Sequence, residues 1–416
     1  METNATDHMR ADLDQVYFDR VHPVLPLIYP RNFLSWADQE NPGAARACLR
    51  SAMRTIAAAM SAPGCRFCNE FYAETCRLLE NHNMKSNPDQ ANSIEHLQAW
   101  LLVAHYELLR VNEHQAMLTA GRCFRLVLMA RLFEIDTYKP GETKFQVSHT
   151  NLGKNNGFKE SFSFLEEKRR TFWLAFCLDR FLCSRNDYPL TLSEEMIFTR
   201  LPSPEANFQN NQHICTSFLE EAFSLSQKGA PLSPFAECII LSTLHGRCMV
   251  HRRFFSTKQQ TGNMDGNDFW THRKLLIAAL EDRMQILSTT LPIHADSGPL
   301  VLLAHTLVHS AIIKLANTAD PAASCWRTLE QSGTLTAYDR RAAASAREMV
   351  LLAKQMPSFS CFKGHPFLPD PLACAANYLT SRIGNFPSSN EIGVQDIVRL
   401  LRDLQGINTL ARVYFD

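Results

Sequence analysis

Residues 166–190 read EEKRRTFWLAFCLDRFLCSRNDYPL. Two acids and three bases open the stretch, a dense aromatic run follows, and Tyr-Pro-Leu closes it. On a helix over 166–184, Phe172, Trp173, Phe176, Leu178, Phe181 and Leu182 cover most of the circumference, which predicts burial on nearly every side. Asp179 and Arg180 sit inside that apolar run. Each needs a partner, because an unpaired buried charge is very costly, and the expectation is a partner from another helix. Glu166 and Glu167 suit the positive end of the helix dipole as first-turn residues. Lys168, Arg169 and Arg170 occupy less than one turn and fan out. They predict a solvated, partly ion-paired helix start in preference to a nucleic-acid stripe.

A helix of that kind needs a large helical core around it, and the rest of the chain supplies one. Its 416 residues suffice for a large core. Gly is low at 16, and β-branched runs are few, which leans towards helix. Lys plus Arg and Asp plus Glu are both 42, so the chain lacks the basic excess of a dedicated nucleic-acid binder. The first 16 residues read as a polar N-terminal tail with neither a secretory nor a transit pattern. No run of about 18 apolar residues is evident, so no membrane span is expected. Thirteen cysteines scattered singly through apolar segments imply reduced core thiols in a reducing compartment.

Periodicity divides the chain into a dozen or more helices. Three prolines in YFDRVHPVLPLIYPRNF (17–33) forbid one continuous helix and predict an apolar segment lying on the core. Residues 44–61 are Ala-rich and helical, ended by Pro63-Gly64, and 67–81 form the next helix. In SIEHLQAWLLVAHYELLR (93–110), Ile94, Leu97, Leu101, Ala104 and Leu108 fall on one face, with Ser93 as the N-cap. A helix over 115–134 carries Leu126, Met129 and Phe133 on a face. Loops are expected at 149–161 and 201–212, a long helix at 234–256, and a linker at 257–268. Helices follow at 269–289, 299–317, 338–355, 370–382 and 390–413. No strand pattern competes. The fold class is all-α, a large multi-helix bundle or array.

Catalytic signatures are sparse. There is no G-x-S-x-G, G-x-x-x-x-G-K, G-x-G-x-x-G or H-E-x-x-H. Cys65-x-x-Cys68, with Cys76 further on, is the nearest to a metal or redox motif. It lacks a fourth zinc ligand nearby, and structural thiols are the leading reading. His305 and His309 share a helix face at i, i+4, inside a run that reads as a core helix. His245, Cys248 and His251 splay too widely for a good chelate. No catalytic, cofactor-binding or metal residue is assigned.

The stretch from Glu166 onward, EEKRRTFWLAFCLDRFLCSRNDYPLTLSEEMIFTRLPSP, resembles the signature of the fungal-specific transcription factor domain, or middle homology region. Arg169, Arg170, Phe172, Trp173, Leu178, Asp179, Arg180, Pro189, Leu190, Glu194, Glu195, Leu201 and Pro202 match it. Tyr17-Phe18 and Val21-His22-Pro23 resemble the family's opening, and 93–110, GRCFRLVLMARLF and VLLAHTLVHSAIIKL resemble later helices. The likeness is strongest over 17–208 and continues, more loosely, to residue 416. It assigns 17–416 to the regulatory domain.

The resemblance implies a nuclear transcriptional regulator, not an enzyme, with no cofactor. Full-length members begin with a six-cysteine zinc binuclear cluster, and residues 1–16 contain no Cys. The expectation is therefore a regulator or co-regulator that does not bind DNA directly and docks on a DNA-binding transcription factor partner. Free-standing proteins of this type resemble regulators of secondary-metabolite gene clusters. Self-pairing, a heterodimer and a small-molecule effector are all compatible with it. Two readings stay open beside it: a zinc cluster upstream of Met1, and a cytosolic small-molecule-binding helical protein or enzyme.

Overall fold

The computed structural model describes residues 2–85, 93–137, 161–224, 231–261, 266–294, 296–317, 329–356, 362, 364–382 and 387–415. Among them are sixteen α-helices and no strand. In chain order they are α1 (Glu2–Val16), α2 (Pro30–Ala37), α3 (Ala44–Ala59), α4 (Cys68–Lys85), α5 (Ile94–Arg110), α6 (Glu113–Met129), α7 (Phe162–Asn186), α8 (Glu205–Gln209), α9 (Leu219–Ser224), α10 (Pro234–Thr261), α11 (Gly266–Thr290), α12 (Pro299–Asn317), α13 (Leu329–Gln355), α14 (Pro369–Thr380), α15 (Pro387–Leu404) and α16 (Thr409–Arg412).

The packing order follows a line. Helix α3 carries α1, α4 and α5; α5 leads to α6 and α6 to α7. From α7 the line passes to α10 and then α12, which carries α11, α13 and α14, with α15 against α13 and α14. Helix α7 is thus the member through which the N-terminal and C-terminal halves join. One continuous apolar cluster runs from Leu13 to Ala411. The chain ends fold back on its beginning, for Thr409 Oγ1 donates to the Leu108 carbonyl of α5.

Local chemistry sets the element ends. Ser93 accepts the His96 amide, Asn112 the Gln115 amide and Ser161 the Phe164 amide, each capping a helix N-terminus. Helix α7 ends on Asp187 in the left-handed region (φ 55°), where Asp is among the few tolerated side chains. Pro30 and Pro369 stand at the starts of α2 and α14, where a missing N–H costs nothing. Between α1 and α2, Val24, Leu25, Leu27 and Ile28 lie buried in the non-helical apolar segment that the prolines predicted.

Several expectations need correction. The polar tail is helix α1: Leu13 is buried, and Asp14 accepts from Arg50 (2.8 Å) and Arg54 (2.8 Å) of α3. On α6 the buried face is Ala116, Thr119, Ala120, Cys123, Phe124 and Val127. The expected stripe of Leu126, Met129 and Phe133 is half-buried or exposed, and Phe133 lies beyond the helix end. Helix α10 runs on into the proposed linker as far as Thr261, and α11 begins inside it at Gly266. The loop at 201–212 contains the short α8, α13 begins nine residues early, and a turn at 405–408 splits the last helix. The loop expected at 149–161 falls, except for its last residue, outside the described residues. Among the described residues one helix, α12, is after all long and apolar enough to cross a membrane (mean hydropathy 1.6), yet 78% of that window is buried inside the protein. It is a core helix.

Candidate functional site

Helix α7 is buried from Ser163 to Ser184, apart from Phe164, Leu165 and Lys168. The helix begins one turn earlier than its sequence suggests, at Phe162. Glu166 and Glu167 therefore lie inside the core instead of at a solvated end, and so do Arg169 and Arg170. Four neighbouring ionisable side chains are buried together, and segments from both sides of α7 in sequence satisfy them.

Glu166 Oε1 accepts from Arg170 Nε (3.0 Å) and from the Ser203 amide (2.8 Å). Arg170 also donates to the carbonyls of Pro26 (3.1 Å) and Ser203 (2.9 Å) and to Glu205 Oε2 (2.7 Å). Its guanidinium lies 4.0 Å from the Phe208 ring centre, a cation–π contact. Glu205, half-exposed at the start of α8, also meets His22 Nε2 at 2.9 Å. Burial opposes its ionisation, but His22 and Arg170 outweigh burial and hold its carboxyl well below the usual range. Arg169 forks onto Asp136, whose Oδ2 also accepts the Arg200 amide (2.9 Å). Burial works against the Arg169 charge, and Asp136 more than offsets it.

Glu167 differs from its neighbours. It accepts the Tyr29 amide (2.7 Å) and Asn32 Nδ2 (3.2 Å), with no cation among its hydrogen-bond donors in the described residues. Burial raises its pKa to about 7, against the pull of those two donors. Through it α7 holds the start of α2.

Trp173 is fully buried, packs edge-on against Phe172 (5.0 Å) and Phe176 (5.1 Å), and donates Nε1–H to the Arg200 carbonyl at 2.7 Å. Nearly two turns on, Asp179 and Arg180 pair with each other (2.8 Å). Their backbone partners come from the loop after α7 and not from another helix, and Cys183 of α7 itself donates to Asp179. Asp179 accepts the amides of Thr191 (3.1 Å) and Leu192 (3.1 Å), and Arg180 donates to the Leu192 carbonyl (2.6 Å). Arg180 stacks on Phe176 at 3.3 Å, and burial lowers its pKa to about 10 despite Asp179. Pro189 is exposed, but its carbonyl accepts from Cys183 Sγ (3.2 Å). Leu190 rests on Gly246 of α10, where an added Cβ would lie 3.4 Å from Leu190 and 3.1 Å from Arg180. At the end of α7, Arg185 bridges Glu113 (3.1 Å) and Asp370 (3.0 Å), and Asp370 also takes Lys314 (2.9 Å).

Of the matched residues, Arg169, Arg170, Phe172, Trp173, Asp179 and Arg180 lie on α7, and Pro189 and Leu190 in the loop that follows it. Sequence reasoning missed Asp136, Ser203 and Glu205, which complete the network. Their signal lay only in the need of Arg169 and Arg170 for acceptors. This arrangement binds chain segments to one another.

The metal and redox candidates lie elsewhere. His305 Nε2 bonds the Leu291 carbonyl (2.9 Å) and His245 Nε2 the Leu307 carbonyl (2.8 Å). Burial lowers the pKa of His245, His251 and His309 to about 4. Among the described residues, no three His, Cys, Asp or Glu side chains are placed to hold a metal ion. A cleft of about 550 Å³ opens between the starts of α3 and α5 and the end of α4, lined by Pro42, Arg46, Cys48, Leu78, His82 and Glu95.

Comparison with known proteins places this architecture. The profile of the fungal specific transcription factor domain matches residues 15–291. The chain is 44% identical to the asperfuranone cluster transcription factor afoA of Emericella nidulans, over 98% of its own length and 64% of that protein. It is 37% identical to the sorbicillinoid biosynthetic cluster transcription factor 1 of Penicillium rubens, over 99% of its length and 71% of that protein. It is 36% identical to the citrinin biosynthesis transcriptional activator ctnR of Monascus purpureus, over 98% of its length and 68% of that protein. The chain thus spans about two thirds of the length of the curated relatives it matches. No solved structure matches it.

Proposed function

This chain belongs to the family of fungal-specific transcription factor domains, and from that premise we propose that it acts in the nucleus as a regulator of a secondary-metabolite gene cluster. The observation that carries the reading is relatedness along nearly the whole chain to regulators named for such clusters, at 36–44% identity. The buried signature supports it: Arg169, Arg170, Trp173, Asp179 and Arg180 all serve the architecture of the domain, and the reading assigns no catalytic step to them.

These 416 residues act through protein contacts, with a DNA-binding transcription factor as partner. The absence of a basic excess supports that division of labour. Dimerisation, with itself or with that partner, is part of the proposal. A small-molecule effector fits too, provided it prefers one state of the domain, since equal affinity for two states shifts nothing.

The test is chromatin occupancy of the tagged chain in its native fungus, with the purified chain assayed on the same DNA. Discrete promoter peaks within one biosynthetic cluster, with no specific binding by the purified chain, are the expected result. Cytosolic protein without peaks would remove the regulatory reading. Specific binding by the purified chain would remove the partner.

A further inference from the structure

Cys65 and Cys68 stand at the foot of α4, outside the ion network of α7. Cys65 lies half-buried in a single 3₁₀ turn, Gly64–Phe67, and Cys68 is the buried first residue of α4. Three residues apart on helical backbone, their Cα atoms are about 5–6 Å apart, inside the range a disulfide spans. The Cys68 thiol donates to the Gly64 carbonyl at 3.9 Å. Cys65 Sγ accepts from the Arg110 guanidinium at 3.3 Å.

The turn is held from behind. Gly64 approaches α3 so closely that a Cβ there would sit 2.9 Å from Ala58 Cα, and the Cys65 amide donates to the Ser61 carbonyl at 3.0 Å. The same guanidinium donates to the Ala59 carbonyl (2.8 Å) at the end of α3 and to the Gly406 carbonyl (3.0 Å) between α15 and α16. The cation stands where negative charge develops on the Cys65 sulfur as it attacks. Burial meanwhile pushes the Cys68 thiol up to about 11, so Cys68 keeps its proton. One sulfur is set to attack and the other to resolve.

We infer that Cys65 and Cys68 form a reversible redox pair, oxidised to a disulfide by hydrogen peroxide. The Cys65 sulfur gives up its proton and attacks one peroxide oxygen: an S–O bond forms, the O–O bond breaks, and the departing hydroxide takes up that proton as water. The Cys68 sulfur then attacks the Cys65 sulfenic acid. An S–S bond forms, the S–O bond breaks, and the Cys68 proton leaves with the hydroxide as a second water. Two thiols give up two electrons and one peroxide accepts them. Oxidation takes the Cys65 sulfur from Arg110 into the S–S bond, and so loosens the guanidinium that ties the C-terminal turn to the end of α3.

Trypsin cuts after Arg54, Arg66 and Arg77, so Cys65 and Cys68 fall on separate peptides, 55–66 and 67–77. The full purified chain is treated with hydrogen peroxide, alkylated, digested without reductant and mapped by mass. The expected product joins 55–66 to 67–77 and is released by dithiothreitol. Because 67–77 also holds Cys76, the link must persist in Cys76→Ser and vanish in Cys68→Ser. Arg110→Gln should slow oxidation at pH 7 on the order of tenfold, and Arg110→Lys, which keeps the charge, should restore most of it. A link lost in Cys76→Ser overturns the pairing. So does a folded chain that oxidises no faster at these positions than the same chain in urea, or one in which exposed Cys215 reacts while Cys65 stays alkylatable.

Discussion

Trp173→Ala removes the largest fully buried side chain among the described residues. Truncating a core aromatic costs about 3–5 kcal/mol, cavity included. The Arg200 carbonyl loses its 2.7 Å indole donor as well, adding about 1 kcal/mol. The edge-on contacts with Phe172 and Phe176 go with the ring. A total of about 4–6 kcal/mol is expected. A chain of this length unfolding as one unit gains roughly 0.9 kcal/mol/K of entropy at its midpoint, so Tm should fall by about 5–7 °C. Differential scanning calorimetry reads the shift directly. Trp173→Phe keeps most of the packing and loses the donor, and should fall by only about 1–3 °C. A Trp173→Ala protein melting within about 1 °C of the parent would refute the burial argument, and with it the placing of α7 at the centre.

Four further outcomes follow from the same geometry. Arg170→Ala leaves Glu166 buried without its main cation and should cost about 3–5 kcal/mol by denaturant unfolding; a loss under 1 kcal/mol would show that the pair is solvated. Glu167 has its pKa raised from 4.5 to about 7 by burial, so its contribution is fully present below about pH 4.5 and declines as pH rises to about 7, by about 3 kcal/mol. Glu167→Gln should abolish that slope, and an unchanged slope in the variant would assign it to another group. Asp370 is opposite in sign: burial opposes its ionisation, but Lys314 and Arg185 depress its pKa to about 2, so about 2 kcal/mol present above pH 4 is lost as pH falls through 2. Asp370→Asn should therefore weaken the protein at pH 7 and converge with the parent near pH 2; a constant difference would point to packing instead of charge. Gly246→Val should destabilise by about 1–3 kcal/mol through overlap with Arg180 and Leu190, and a neutral result would mean that the 188–192 loop yields freely.

How much of this was legible in the sequence depended on whether a residue's role was set by its own element. Helices α5 and α12 were readable almost to the residue, since apolar period, Ser93 and the prolines all lie within them. Helix α1 was not. Its sequence is polar, and Asp14 acquires meaning only from Arg50 and Arg54 on another helix. The α6 stripe failed because small side chains, Ala116, Ala120 and Cys123, face the core while Met129 does not. At the candidate site, the aromatic burial was readable and the charges were misjudged. One earlier turn, capped by Ser161, moves Glu166 to Arg170 from a helix end into the interior. Nothing local to EEKRR marks Asp136, Ser203 or Glu205 as the acceptors and donor waiting there.

The partners of α7 arrive at the ribosome exit at different times. Tyr29 and Asn32 are made more than 130 residues before Glu167, and Ser203 and Glu205 more than 30 residues after Glu166 and Arg170. A nascent chain that has only reached the end of α7 carries Glu166 and Arg170 beside an unfinished wall. The segment between α7 and α8 is therefore a closing step of synthesis, and chaperone capture should be sought there. Deletion maps face the same geometry. A boundary drawn between residues 187 and 205 severs the loop from the helix it completes, and any loss of reporter output from such a truncation measures collapse of the domain.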